Sequence, residues 1–234
     1  AVMSVVRLAV VGAGLIGRRH AAHLQAEPQA ALAAIVDPAP AGRAFAAELD
    51  VPWFADLQGL LAAERPDGLV VASPNQLHVE HGLAALAAGI SALIEKPIAD
   101  NLDGATRLVE AAEAAGVALL FGHHRRHNPM IRKAREVIDS VRLGRLVPLH
   151  GDFWLFKPDD YFAAAWRREK GAGPVFINLI HDIDLFRYLC GEIVTVQAQE
   201  SSMVRGNAVE DAAVILLRFA NGMLGTVNVS DAVV

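Results

Sequence analysis

An apolar run, Val5–Val11, leads directly into Gly12-Ala13-Gly14-Leu15-Ile16-Gly17, and this junction constrains the fold more than any other segment. Three glycines at this spacing serve three purposes when a strand turns into a helix. Gly12 permits the tight turn, Gly14 lets backbone come close to a pyrophosphate, and Gly17 lets the helix pack against the strand. The helix then points free N–H groups and the positive end of its dipole at the phosphates. Asp37 closes a second apolar run 20 positions after Gly17, where a carboxylate can bond a ribose 2′-hydroxyl. That carboxylate repels a 2′-phosphate. Pro38-Ala39 adds no cation beside it and Arg43 lies farther on, so NAD is favoured over NADP. Asp37 also reads as a strand-end turn residue ahead of Pro38.

The rhythm beyond the turn supports the same fold. Short apolar runs at Leu32–Val36, Gly68–Ala72, Ala92–Ile94 and Val117–Phe121 read as strands buried on both faces. Ala/Leu-rich stretches at Leu15–Glu27, Leu77–Ala88 and Leu102–Ala115 read as helices between them. Strand–helix alternation predicts an α/β domain with a doubly wound, parallel Rossmann sheet. After residue 122 the pattern changes. A helix is expected over Met130–Val141, a strand over Leu146–Phe156 and a helix over Val175–Cys190, followed by strands at Ile193–Glu200, Ala212–Phe219 and Met223–Val229. Asn221-Gly222 joins the last two strands as a hairpin. Strands without intervening helices predict an open, mostly antiparallel sheet in a second α/β domain. The expected division is residues 1–123 for dinucleotide binding and 124–234 for substrate and oligomer contacts. The stop just past a strand suggests a truncated chain.

Composition excludes several classes. A net charge of -5 gives no bulk attraction to nucleic acid or anionic membrane. No apolar run reaches the roughly 18 residues of a membrane span, and no export signal is read at the start, so a cytoplasmic location is expected. The single cysteine, Cys190, rules out an intrachain disulfide and lacks an activating context for a nucleophile. The nine histidines include close sets (His78 with His81; His123, His124 and His127), but none carries HExxH or a matching ligand set, so no metal is expected.

Two further clusters carry chemistry. Ser73-Pro74-Asn75, with His78 one turn on, follows a strand at the ligand-binding edge of the sheet. Asn75 can bond a ribose or amide, or cap the next helix; His78 can touch a cofactor or be structural. Glu95-Lys96-Pro97 closes the next strand, where a lysine can bond a substrate hydroxyl and stabilise its alkoxide, or form a surface salt bridge. In the second half, His181 sits in Asn178-Leu179-Ile180-His181-Asp182-Ile183-Asp184. Two flanking carboxylates would orient it and raise its basicity, unless they form helix-surface ion pairs.

With these motifs in order, the chain resembles the Gfo/Idh/MocA family of glucose–fructose oxidoreductase, inositol dehydrogenase and their relatives. The resemblance adds Gly122-His123-His124-Arg125-Arg126-His127-Asn128-Pro129, Trp166-Arg167 and Gly173-Pro174 to the motifs above. It implies an NAD(P)-dependent oxidoreductase acting on a CH–OH carbon of a sugar, cyclitol or related polyol. The cofactor would be held by Gly12, Gly14, Leu15, Ile16, Gly17, Asp37, Ser73, Pro74, Asn75, His78, Glu95, Lys96 and Pro97. Lys96 corresponds to the family's catalytic lysine and His181 to its acid/base histidine, while Arg125, Trp166, Arg167 and Asn178 would lie near nicotinamide or substrate. The open sheet implies a homodimer or homotetramer. Members run on for roughly a hundred residues more. One departure stands out: many members carry Asp four residues before the histidine, and here that position is Ile177. NAD-dependent glycoside hydrolysis, or a non-catalytic NAD-binding regulator, are the alternative readings.

Overall fold

The computed structural model describes residues 4–233, which fall into two compact units divided between Gly122 and His123. The first unit is a six-stranded, all-parallel sheet. Its strands are β1 (Val6–Val11), β2 (Ala30–Val36), β3 (Trp53–Phe54), β4 (Gly68–Val71), β5 (Ser91–Ile94) and β6 (Leu119–Phe121), in the order β3-β2-β1-β4-β5-β6. The order reverses between β1 and β4, and ligands in doubly wound folds bind at that reversal, beyond the C-terminal strand ends.

Helices cover both faces. On one face α1 (Leu15–Ala26) and α2 (Pro40–Glu48) pack Ala21, Phe45 and Ala46 against Val10, Ile35 and Val70. On the other, α3 (Leu57–Ala63), α4 (His78–Ala87) and α5 (Leu102–Ala115) pack Leu60, Leu86 and Leu108 against Val11, Val71 and Ile94. Each fully buried Leu contributes about 1.5–3 kcal/mol. The helix starts are chemically marked. Asp56 and Asn101 accept the amides of Gly59 and Gly104 at 2.7 and 2.8 Å, and Pro40 occupies the first turn of α2. The expected burial of every strand on both faces fails at β6. This strand lies at the sheet edge, and Leu120 is 57% exposed.

The second unit begins with α6 (Pro129–Asp139), whose cap is the Asn128 carboxamide accepting Met130 N–H at 2.9 Å. Its four-stranded sheet comprises β7 (Pro148–Trp154), β8 (Ile193–Ser201), β9 (Ala212–Phe219) and β10 (Leu224–Ser230), in the order β7-β10-β9-β8. The sheet is mixed. β8–β9 and β9–β10 are antiparallel, but β7 runs parallel to β10, because chain between them returns through α7 (Ile180–Cys190) rather than through a hairpin. The hairpin at Asn221-Gly222 is present, with Gly222 at φ +87° and the Asn221 carboxamide accepting Met223 N–H at 3.0 Å. Along β9 burial alternates residue by residue. Ala213, Ile215, Leu217 and Phe219 join Leu179 in the core, while Val214 and Leu216 face outward. Among the described residues no helix is long and apolar enough to cross a membrane.

Candidate active site

The glycine turn follows β1 as its spacing requires. Gly12 has φ +95°, a left-handed conformation that favours glycine, and a Cβ there would stand 2.6 Å from the Ala72 carbonyl oxygen. A Cβ on Gly17 would stand 1.8 Å from the Gly12 carbonyl oxygen. Gly14 differs: its φ is -70°, and a Cβ would meet nothing within 4 Å. Packing therefore explains Gly12 and Gly17, whereas Gly14 borders open space. No side chain caps α1 and its first turn holds no acidic residue, so the helix N-terminus remains available to an anion. These features fit a dinucleotide pyrophosphate.

Gly14→Ala should shift stability by under about 1 kcal/mol, since the poorer alanine cap is offset by the lower entropy of the unfolded chain at a position whose φ of -70° alanine adopts freely. It should weaken NAD binding about tenfold or more, because a methyl would intrude where the pyrophosphate passes. Gly17→Ala should instead disrupt folding of this unit. Thermal melts and NAD titrations of the two variants check the contrast; equal effects on both readouts would defeat it.

Asp37 holds two backbone amides. Its carboxylate accepts Ala13 N–H at 2.7 Å and Ala39 N–H at 2.8 Å, which ties the end of β2 to the glycine turn. The nearby cations are engaged. The Arg18 guanidinium donates to the Ala13 and Ala41 carbonyls and stacks on Phe45, and Arg43 lies over Trp53.

Beyond β4 and β5 the expected residues divide into facing and supporting roles. His78 is 1% exposed, and its ring nitrogens lie 2.7 and 2.9 Å from the Pro97 and Ser73 carbonyl oxygens. Its expected place against the cofactor does not match this burial; the ring braces the two loops that carry Ser73 and Lys96. Asn75 caps no helix: the turn at Asn75–Leu77 and α4 both begin without a side-chain cap. His20 Nε2 lies 2.8 Å from the Glu95 carboxylate, which also accepts Lys96 N–H at 3.2 Å. Burial pushes this carboxyl up, but the His20 and Lys96 bonds and charges outweigh it and hold the group below the usual glutamate value. Gly122 makes room, since a Cβ there would lie 2.7 Å from Glu95 Oε2. The Lys96–Pro97 peptide is cis.

His81, whose Nδ1 is 3.0 Å from Ser73 Oγ, has its pKa lowered by burial, aided by the charge of His78 and opposed by Glu80. The folded state therefore favours neutral His81. Its contribution to stability is complete above the ordinary histidine value of about 6.5 and is lost as pH falls through the lower folded value. Melting temperature should fall over that range, and His81→Gln should flatten the slope in pH-dependent melts. An unchanged slope would remove His81 as the cause.

In the second unit, residues 175–179 form a π-helical turn leading into α7. Such turns recur at functional sites because they re-aim side chains. Glu210 supports the entry: its carboxylate accepts Val175 N–H at 3.2 Å, and Gly173 leaves it room. His181 is 8% exposed, with the His124 ring 5.2 Å away edge-on and the His123 ring at 6.1 Å. The two carboxylates beside it in sequence are each paired with an arginine. Asp182 pairs with Arg125 at 2.7 Å, and Asp184 takes both arms of Arg126 with His123 Nδ1 at 3.2 Å. Burial pushes the Asp182 carboxyl up despite Arg125. Trp166 is exposed, and Arg167 stacks on Tyr161 at 4.1 Å.

Sequence reasoning missed a buried charged cluster in this unit. Lys157, 5% exposed, donates to Asn178 Oδ1 at 2.8 Å and pairs with Asp231 at 3.0 Å. Arg205 bonds the same Asp231 at 2.5 Å and donates to the Lys157 carbonyl at 2.9 Å. The available signal was a lone charge directly after an apolar strand: Lys157 after Phe153-Trp154-Leu155-Phe156, and Asp231 after Val227–Ser230.

Comparison with known proteins agrees with this architecture. Residues 6–123 match the model described as "Oxidoreductase family, NAD-binding Rossmann fold", and residues 131–234 match the GFO/IDH/MocA C-terminal domain. Inositol 2-dehydrogenase 2 of Saccharopolyspora erythraea is 32% identical over 95% of this chain and 66% of its own length. Myo-inositol 2-dehydrogenase of Thermotoga maritima is 28% identical over 95% of this chain and 67% of its own. The crystal structure of WlbA dehydrogenase from Bordetella pertussis, in complex with NADH and UDP-GlcNAcA, superposes with a TM-score of 0.91 at 29% identity, covering 97% of this chain and 71% of that one. The chain thus spans about two thirds of the length of these relatives. On both of its units, this chain belongs to the Gfo/Idh/MocA oxidoreductase family.

Proposed function

We propose that the protein is an NAD-dependent oxidoreductase acting on a carbinol carbon of a sugar, cyclitol or related polyol. The observation that carries the reading is the open side of the turn at Gly14, next to an uncapped helix N-terminus and Asp37. Gly12, Gly14, Leu15, Ile16 and Gly17 would hold the pyrophosphate, and Asp37 the adenosine ribose. Ser73, Pro74, Asn75 and the Glu95-Lys96-Pro97 turn would line the rest, with His78 behind them. NAD is preferred to NADP because Asp37 repels a 2′-phosphate and Arg18 and Arg43 are committed elsewhere. When bound, NAD supplies the hydride acceptor, or as NADH the donor.

The chain's own residues handle the oxygen. Lys96 donates a hydrogen bond to the substrate hydroxyl oxygen and stabilises the negative charge that grows there. His181 takes the hydroxyl proton on oxidation and returns it on reduction. Ile177 can do neither, which leaves His181 as the base on α7. Relatives carrying the inositol 2-dehydrogenase name support a polyol substrate. The test is NADH formation at 340 nm with myo-inositol, sugars and sugar acids; tight NAD binding without reduction by any of them would refute the reading.

The outward face of the second sheet, with Val214, Leu216 and Leu224 exposed, is proposed as the contact of a homodimer or homotetramer. A monomeric mass by light scattering would remove this. The unit divisions support separate cofactor and substrate roles for the two units, in a cytoplasmic enzyme.

A further inference from the structure

The helical run that carries His181 begins without a cap of its own. Helices α3, α5 and α6 are capped by Asp56, Asn101 and Asn128, each just ahead of its helix. The run that opens at Val175 and continues into α7 is preceded by Gly173-Pro174, which offer no side-chain acceptor, and its first turn holds no acidic residue. Pro174 brings no N–H, and Ile177 N–H already donates to the Gly173 carbonyl at 3.0 Å. Val175 N–H lies ahead of that ladder, among the donors that a helix start leaves open. Glu210 takes it at 3.2 Å, from 35 residues farther along the chain.

Both sides of this contact are shaped for it. A Cβ on Gly173 would overlap the Glu210 carboxylate, so the carboxylate fills the space that a side chain would have taken. Gly173 is buried and is not among the glycines with positive φ, so the missing Cβ rather than a special backbone is what the contact uses. The backbone around Glu210 is anchored. Val209 is buried, Asp211 N–H donates to the Ser201 carbonyl at 2.9 Å, and the Asp211 carboxylate accepts the Val204 and Arg205 amides. Burial pushes the Glu210 carboxyl up, and the charges of Glu200 and Asp231 add to this; its own backbone N–H and that of Val175 oppose them. The folded state therefore disfavours the charged form, and above the ordinary glutamate range that charge adds no stability.

What the contact does control is register. An α-helix advances about 100° per residue, so a slip of one residue at a π-helical turn rotates the side chains before it by that angle against those after it. Asn178 lies within the turn and His181 lies beyond it. We propose that Glu210 is a positioning residue: by holding Val175 N–H it keeps the π-helical turn in register and so sets where Asn178 stands against His181. The proposal rests on the acid/base reading of His181 for its effect on turnover, but not for its effect on the helix.

Glu210→Met should lower kcat about tenfold to a hundredfold, the cost that a small misplacement near the reacting groups can carry, with NAD affinity unchanged. The solvent deuterium isotope effect on kcat should rise, because proton transfer to a displaced His181 is slower; a smaller folded fraction alone would leave that ratio as it was. Glu210→Gln keeps an oxygen acceptor in the same shape. It should keep most of the turnover and be no less stable at neutral pH. Gly173→Ala pushes the carboxylate away and should match Glu210→Met, with the two effects not adding in the double variant. Should Glu210→Met not fold, Glu210→Asp, one methylene short of the amide, decides. Amide hydrogen exchange over residues 175–179 should quicken in Glu210→Met and not in Glu210→Gln, a readout that needs no substrate. An unchanged kcat and isotope effect in Glu210→Met, or a loss that Glu210→Gln shares in full, overturns the proposal. Quickened exchange, with no turnover of any polyol by the unaltered protein, supports the hold on the helix and refutes hydride transfer. Turnover by the unaltered protein, with exchange unchanged in Glu210→Met, does the reverse.

Discussion

Lys96→Ala is expected to lower kcat by about a hundredfold to a thousandfold while leaving NAD affinity within about twofold. Removing one donor aimed at developing oxyanion charge typically has this effect. The side chain stands just after β5, beside a Glu95 carboxylate already occupied by His20 and the Lys96 backbone, so truncation should not release an unpaired carboxylate. Turnover and NAD binding measured on the same preparation separate the two quantities. A parallel loss of NAD affinity would mean that the Lys96 side chain serves cofactor binding and not the developing charge. His181→Gln should lower kcat as well and flatten its pH profile, since the proton acceptor would be gone.

Asp231→Ala should destabilise the second unit by about 3–5 kcal/mol, the usual cost of removing one partner from a buried ion pair. Lys157 and Arg205 are 7% and 12% exposed at their side chains, and both rely on this carboxylate. Denaturant titration measures the change. The double variant Asp231→Ala/Lys157→Met should recover part of the loss, because it removes a stranded cation along with its partner. A shift below 1 kcal/mol in the single variant would mean that water already compensates these charges.

Local pattern was legible wherever function depends on neighbours in sequence. The glycine spacing, the strand leading into it and Asp37 were readable because a turn is decided within a few residues. The Lys96 turn and the His181 helix were readable on the same grounds. Several helices were not. α2 and α3 carry start signals in Pro40 and Asp56, but they flank a strand of two residues, Trp53–Phe54, too short to show a period. The parallel pairing of β7 with β10 depends on contacts about 76 residues apart, beyond the reach of a reading of neighbouring strands. Partner choice was hidden for the same reason. Asp182 and Asp184 sit beside His181 in sequence, yet arginines 57 and 58 residues away claim them. The Lys157–Asn178–Asp231 cluster needed three separate elements to meet.

Asp37 bears on how such an enzyme can change its cofactor. In a chain where that carboxylate only repelled a 2′-phosphate, exchanging it for a small neutral residue would be a direct route to NADP. Here the same oxygens accept Ala13 and Ala39 N–H, so the exchange would also loosen the turn proposed to seat the pyrophosphate. Selection for NADP would then have to follow a particular order, with a new cation or a replacement acceptor arriving before Asp37 is lost. A residue proposed to set specificity would thereby also restrict the mutational path away from it.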